Sequence, residues 1–263
     1  MAEVVSLHDK SMIREFALRQ PLRYIYEIGD LDDFFWPNTI WYGWQVDGRI
    51  EQLALIYIPF EEPVILTHAN PDRNDHDAFV RALFRLLPGA LYAHVDDDTA
   101  QVMRERYQVE PHGHYLKMGL ADVAQAVRHD DGRAQLLTVA DVPALHRLYA
   151  AAYPGNWFDE RMVQTGFYTG IWQGSELVAA SGIHVVSVSE GVAALGNVTS
   201  LPALRGQGMA RSSCARLIRA MHEQGIGHIG LNVSASTAAA IKLYQNLGFT
   251  KVAEYDEWSF KRV

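Results

Sequence analysis

The residues with the most to offer chemically lie between Leu195 and Ala210, Leu-Gly-Asn-Val-Thr-Ser-Leu-Pro-Ala-Leu-Arg-Gly-Gln-Gly-Met-Ala. A strand ending near Pro202 gives way to Arg205-Gly206-Gln207-Gly208-Met209-Ala210, which opens a long amphipathic helix over residues 208–224. Glycines at such a junction let successive backbone N–H groups face one concavity, and the helix dipole adds partial positive charge, so a pyrophosphate is held with few lysines. Arg205 and Arg211 add charge at the rim. The spacing excludes two better-known loops: the triphosphate loop needs Lys followed by Ser or Thr after its second glycine, and the dinucleotide loop needs a third glycine where Arg211 stands. A lone Gly-x-Gly is equally an ordinary loop, so weight falls on a second motif.

That motif begins at Leu231-Asn232-Val233 and continues, past Thr237, as Ala240-Ile241-Lys242-Leu243-Tyr244-Gln245-Asn246-Leu247-Gly248-Phe249. With the loop, this order resembles the GNAT superfamily of acyl-CoA-dependent N-acyltransferases, whose pyrophosphate loop reads Arg/Gln-x-x-Gly-x-Gly/Ala and whose later signature is a strand followed by Ala-x-x-Leu-Tyr-x-x-x-Gly-Phe. The resemblance covers residues 134–263. It implies acetyl-CoA as cosubstrate, no metal, and transfer of an acetyl group to a primary amine on a small molecule or peptide. It also implies that Val198, Thr199 and Ser200 offer backbone groups to the pantetheine arm while Arg205, Gly206, Gln207, Gly208, Met209, Ala210 and Arg211 hold the pyrophosphate. Asn232 falls where the strand parts from its neighbour to admit the thioester. Tyr244 is placed to protonate the departing thiolate, a role suited to a phenol because its ordinary pKa of about 10 exceeds a thiol's of about 8.5. Thr237 stands where the family often has Asn and is carried as a CoA contact only. A non-catalytic acyl-CoA sensor or scaffold is the alternative.

Direct attack needs a neutral amine and hence a base or a water chain. His184, in a strand over residues 177–188, and Glu190, at its turn, are the candidates, although a strand histidine is more often structural. Cys214, the only cysteine, lies on the apolar stripe of the loop's helix and reads as core; alone, it forms no intrachain disulfide, in keeping with a reducing, cytoplasmic setting. Asp96-Asp97-Asp98 and His112-Gly113-His114 have no recognised ligand register and read as solvated loops. Trp36, Trp41, Trp44, Tyr153, Trp157 and Phe158 fit either an acceptor cleft or a core.

These residues require a strand–loop–helix–strand–helix scaffold. The expected strands of the second half are 170–172, 177–188, 193–200, 229–233 and one through 258–260, and the expected helices are 142–152, 208–224 and 237–247. The first half shows strands at 41–46 and 52–59 around Asp47-Gly48, then 63–67, 90–95 and 115–120, with helices at 75–87 and 99–107. His94–Ala100 can be laid on Asn232–Ala238, which suggests a degenerate duplication. The fold class is therefore α/β, an α+β mixed and mostly antiparallel sheet flanked by helices, as two GNAT-like domains in tandem. The expected division is a degenerate domain at 1–120, a linker at 121–133 and a catalytic domain at 134–263. No Arg-Gly-x-Gly precedes the helix at 75–87, and the repeat sets Arg106 opposite Tyr244, so the first copy is expected not to turn over acyl-CoA.

Composition narrows the classes further. The chain of 263 residues is 49% hydrophobic and 21% charged with a formal net charge of -8, a foldable composition. Residues 1–133 hold 13 Lys and Arg against 22 Asp and Glu, and residues 134–263 hold 10 against 9. A net negative chain argues against nucleic acid as a partner, and neither a signal-peptide core nor a membrane-spanning run is evident. A monomer or homodimer is expected.

Overall fold

The computed structural model describes residues 2–263. Contacts divide the chain into two compact units: the first takes the chain up to Lys117 together with Ser234–Ser236 and Ala253–Val263, and the second takes Met118–Val233 with Thr237–Val252.

In the first unit the order is β1 (Ala2–Ser6), α1 (Lys10–Ala17), α2 (Ile25–Gly29), β2 (Thr39–Val46), β3 (Arg49–Tyr57), β4 (Val64–Thr67), α3 (His76–Leu83), β5 (Ala90–Val95), α4 (Asp97–Met103) and most of β6 (Tyr107–Leu120). The second contains α5 (Val123–Val127), β7 (Gln135–Leu136), α6 (Val142–Ala152), β8 (Thr169–Gln173), β9 (Glu176–Ser187), β10 (Val192–Ser200), α7 (Met209–Glu223), β11 (His228–Ser234), α8 (Ala238–Asn246) and the start of β12 (Phe249–Arg262), whose remainder returns to the first.

Strands run β1-β2-β3-β4-β5-β12 in the first unit and β11-β10-β9-β8-β7 in the second. Neighbours pair antiparallel except β4 with β5 and β10 with β11, which are parallel. This is the expected mixed α/β architecture, mostly antiparallel with flanking helices. Alternation of apolar side chains along β3, β5 and β12 buries Ala54, Ile56, Leu91, Ala93, Trp258 and Phe260 with Phe79 and Leu83 of α3 in one core. In the second unit the stripe Cys214, Leu217, Ile218 and Met221 turns α7 inward.

Several elements differ from expectation: β1, α1, α2 and α5 lie outside the expected set, and α3 ends at Leu83. α4 starts at Asp97, because the Asp96 carboxylate accepts from the Thr99 amide at 2.8 Å and caps it, and ends by Met103. The strand expected at 115–120 begins at Tyr107; its polar first half is exposed and so lacks the alternation that marks a half-buried strand. Residues Glu160–Thr165, after Trp157, form a 3-10 turn that ends at Gly166. No helix among the described residues is long and apolar enough to cross a membrane.

Candidate active site

α7 begins at Gly208, whose φ of +77 lies in the left-handed region and which offers no capping side chain; Gly206 has φ +78. The first amides of α7 are thus not blocked by a side chain, as an anion cradle requires. A methyl group at Gly208 would lie 3.3 Å from an Arg211 guanidinium nitrogen and 3.7 Å from one of Arg133, so two cations flank the loop. Arg205, exposed, donates to the Ala152 carbonyl at the end of α6 at 3.2 Å. These donors suit a pyrophosphate.

Arg133 was not foreseen. It lies in the stretch read as a linker, and its partner Asp131 accepts from Arg133 at 2.7 Å and from the Ser212 hydroxyl of α7 at 2.6 Å. Both bonds hold the Asp131 carboxyl below its usual range, with Arg133 the larger cause. Residues 121–133 therefore pack as part of the second unit, with α5 against α7. Only the acidic spacing of Asp130-Asp131-Gly132-Arg133 hints at this in sequence, and it reads equally as a turn.

Upstream of the loop, β10 carries Val198, half-buried, and Thr199 and Ser200, both buried. Its parallel pairing with β11 stops at Leu195 opposite Leu231, one residue before Asn232. The register with β9 shifts between Gly196 and Thr199, and Asn197 there is left-handed at φ +53. Asn197 holds this bulge: its carbonyl accepts from Tyr149 Oη at 2.9 Å, its Nδ2 donates to Tyr168 Oη at 3.1 Å, and its Oδ1 accepts from Asn156 Nδ2 at 3.3 Å. Asparagine tolerates the left-handed region better than most residues, the only signal that sequence carried.

Asn232 Oδ1 is buried and makes no hydrogen bond. Tyr244, 8% exposed on α8, sets its ring edge-on to Phe249 with centroids 5.8 Å apart. The loop residues from Arg205 to Arg211 come together at the head of α7, while Thr237 is exposed at the start of α8 and makes no side-chain cap.

The base candidates separate. His184 is partly buried on β9, its ring packed where a Cβ on Gly196 would collide with it, and burial pushes its pKa down to about 4. Glu190 lies in the turn before β10, seven residues ahead of Asn197 in the sequence. Trp41 and Trp44 are buried in the first unit, whereas Phe158 packs on Tyr149 at 4.8 Å, with Tyr153 and Trp157 exposed beside it in sequence. Cys214 is buried, and burial pushes its thiol up to about 12.

The first unit shows the opposite chemistry where α3 begins. Asp75, at its N-cap, accepts from Trp44 Nε1 and Gln52 Nε2, both at 3.1 Å, and pairs with Arg73. Arg73 first, then the other donors, bring its pKa down to about 2. An anionic carboxylate fixed at this terminus repels a phosphate. Asp96 caps α4, and His112 and His114 are held by Ser259 and by Asp256 and Glu254.

Residues 133–249 match the acetyltransferase (GNAT) family model. The chain is 31% identical over 119 residues to the [ribosomal protein bS18]-alanine N-acetyltransferase of Escherichia coli K12, covering 44% of this chain and 78% of that protein. It is 31% identical over 102 residues to the mycothiol acetyltransferase of Catenulispora acidiphila, a match of 36% of this chain and only 30% of that enzyme's length. A solved tandem GNAT protein from the clavulanic acid biosynthesis pathway has the same fold over 98% of both chains, with a TM-score of 0.56 at 14% identity. With the glycine loop at the head of α7, the parting of β10 from β11 and a family match over the same residues, the chain belongs to the GNAT family of acetyltransferases.

Proposed function

We propose that the second unit transfers an acetyl group from acetyl-CoA to a primary amine on a small molecule or peptide, and that the first unit has no such activity. The observation carrying this reading is the uncapped, glycine-built head of α7 flanked by Arg133 and Arg211. The pyrophosphate is held at residues 205–211. The pantetheine arm lies along residues 198–200, where the bulge tilts β10 from its neighbour. The amine nitrogen attacks the thioester carbonyl; the tetrahedral adduct collapses, the carbon–sulfur bond breaks, Tyr244 donates its phenolic proton to the leaving thiolate, and the proton that the nitrogen sheds on becoming an amide returns through water to the Tyr244 phenolate. Asn232 cannot take a proton, so it orients the amine by accepting one N–H, and the proton lost by the ammonium leaves through water.

Tyr244→Phe tests the acid. Turnover of a thiol-release assay is expected to fall about 100-fold or more, with acetyl-CoA affinity within about twofold of the parent. Unchanged turnover removes Tyr244 from the mechanism. One relative is named for an alanine of ribosomal protein bS18 and the other for mycothiol, so the acceptor panel spans peptides and small amines.

A further inference from the structure

The turn that delivers Arg133 to the head of α7 is built around two carboxylates. The Asp130 side chain is 6% exposed; its Oδ1 accepts from the Gly132 amide at 3.2 Å and its Oδ2 pairs with Arg219 of α7 at 3.0 Å. Asp131 Oδ1 accepts at 2.6 Å from the hydroxyl of Ser212, a residue 1% exposed in the first turn of α7 and so cut off from solvent. Gly132, left-handed at φ +78, turns the chain toward Arg133. Ala134 then joins Met209, the first residue of α7, in one apolar cluster. The backbone on both sides of Arg133 is thus tied to α7.

Those ties do not fix the side chain of Arg133, which is long and 41% exposed, so its rotatable bonds would otherwise stay free. Asp131 removes that freedom. Its Oδ2 accepts from Arg133 Nε at 2.9 Å and from Nη2 at 2.7 Å, and its Oδ1 also accepts from the Arg133 amide at 3.2 Å. Nη2 is the atom that lies 3.7 Å from the place of a Cβ on Gly208. One carboxylate therefore joins the guanidinium to α7 through Ser212. Two effects oppose each other here. A negative charge near a helix head repels phosphate, whereas a guanidinium held ready spares the cofactor the cost of ordering it. The carboxylate's acceptor positions are filled by Ser212 and by three donors of Arg133, so its charge acts first on that guanidinium, and preorganisation is the larger effect.

We propose that Asp131 is a positioning residue for acetyl-CoA: seated on Ser212, it holds the Arg133 guanidinium beside the loop at residues 206–208, so that the pyrophosphate meets a cation already in place. The inference rests on the reading of that loop as the pyrophosphate site.

A double-mutant cycle in the acetyl-CoA affinity of the full chain, read by isothermal titration calorimetry, tests it. Asp131→Asn keeps the volume and an oxygen for Ser212 but loses the charge that holds Arg133. It is expected to weaken acetyl-CoA binding about fivefold and to raise the KM for acetyl-CoA likewise, with kcat within about twofold of the parent. In the Arg133→Ala chain the same substitution is expected to leave affinity within about twofold or to raise it, since a carboxylate without its guanidinium only repels phosphate. Asp131→Glu, which keeps the charge on a longer arm, is expected to lose less than Asp131→Asn in the parent and nothing in the Arg133→Ala chain. A carboxylate needed only to satisfy Ser212 gives equal losses in both backgrounds, and that result overturns the proposal. So does affinity unchanged or improved by Asp131→Asn in the otherwise parent chain. Affinity lost in Gly208→Val together with equal losses in the cycle overturns this inference and leaves the proposed acetyl transfer standing; affinity retained in Gly208→Val overturns the cradle and this inference with it.

Discussion

His184 and Asn232 both stand near the bulge in β10, yet of the two only Asn232 has a buried atom without a hydrogen-bond partner. The imidazole has a different consequence. Burial lowers its pKa from 6.5 to about 4, so between those values the unfolded chain takes a proton that the native chain refuses. Stability is therefore fully present above pH 6.5 and is lost as pH falls toward 4, by about 1–3 kcal/mol since part of the ring meets solvent. Urea unfolding at both ends of that window measures it, and His184→Gln, which cannot titrate, is expected to flatten the slope by that amount. A slope equal in both proteins places the acid sensitivity elsewhere. The same low pKa makes His184 a weak proton acceptor at neutral pH, which favours water as the route for the amine's proton.

At the scale of elements, the head of α7 concentrates the chemistry. Gly208→Val forces a β-branched residue into φ +77 and brings its Cβ to 3.3 Å from Arg211, so the amides turn out of the cradle. Acetyl-CoA affinity is expected to fall at least tenfold in equilibrium titration, with the far-ultraviolet dichroism of the parent; retained affinity overturns the loop assignment. Arg133→Ala tests the cation that α5 and its following turn contribute. Its loss is expected to weaken acetyl-CoA binding several-fold and to reduce the salt dependence of that binding, because an exposed guanidinium acts on a phosphate through a screened field. An unchanged salt dependence returns Arg133 to a purely structural pairing with Asp131. In the first unit the corresponding helix start holds Asp75, and removing Arg73 would not make it a phosphate site, since the carboxylate keeps donors from Trp44 and Gln52.

At the scale of the whole chain, the end of the sequence completes the beginning of the fold. Asp256–Lys261 of β12 pair antiparallel with β5, and Trp258 and Phe260 join the core of the first unit. A strand that offers the same edge and the same apolar alternation can take this place whichever half encodes it, the principle behind exchanged elements in swapped domains. Phe260→Ala is expected to cost about 3–5 kcal/mol, a large share of a domain's stability. Limited proteolysis followed by mass analysis checks where the loss falls: cleavage is expected within residues 2–117, with 118–252 protected. Cleavage confined to 118–252 contradicts the assignment of β12 to the first unit.

By itself the sequence determined the chemistry that is local in the chain. Gly206, Gly208 and Arg211 fall within six residues, and Tyr244 follows Asn232 by a fixed helical path, so spacing alone pointed to the family and to the proposed cradle. Helices with a strong apolar stripe, such as α6 and α7, were legible for the same reason, whereas the exposed start of β6 and the short turn at Glu160–Thr165 carry no period to read. Tertiary structure alone decided what depends on residues far apart: the Arg133 guanidinium beside Gly208, the Asn197 bulge tied to Tyr149 and Tyr168, the return of β12 to β5, and the seating of Asp131 on Ser212. The physical reason is that strand pairing and the satisfaction of buried polar atoms are settled by which distant residues are brought to one place, a choice that no local spacing encodes.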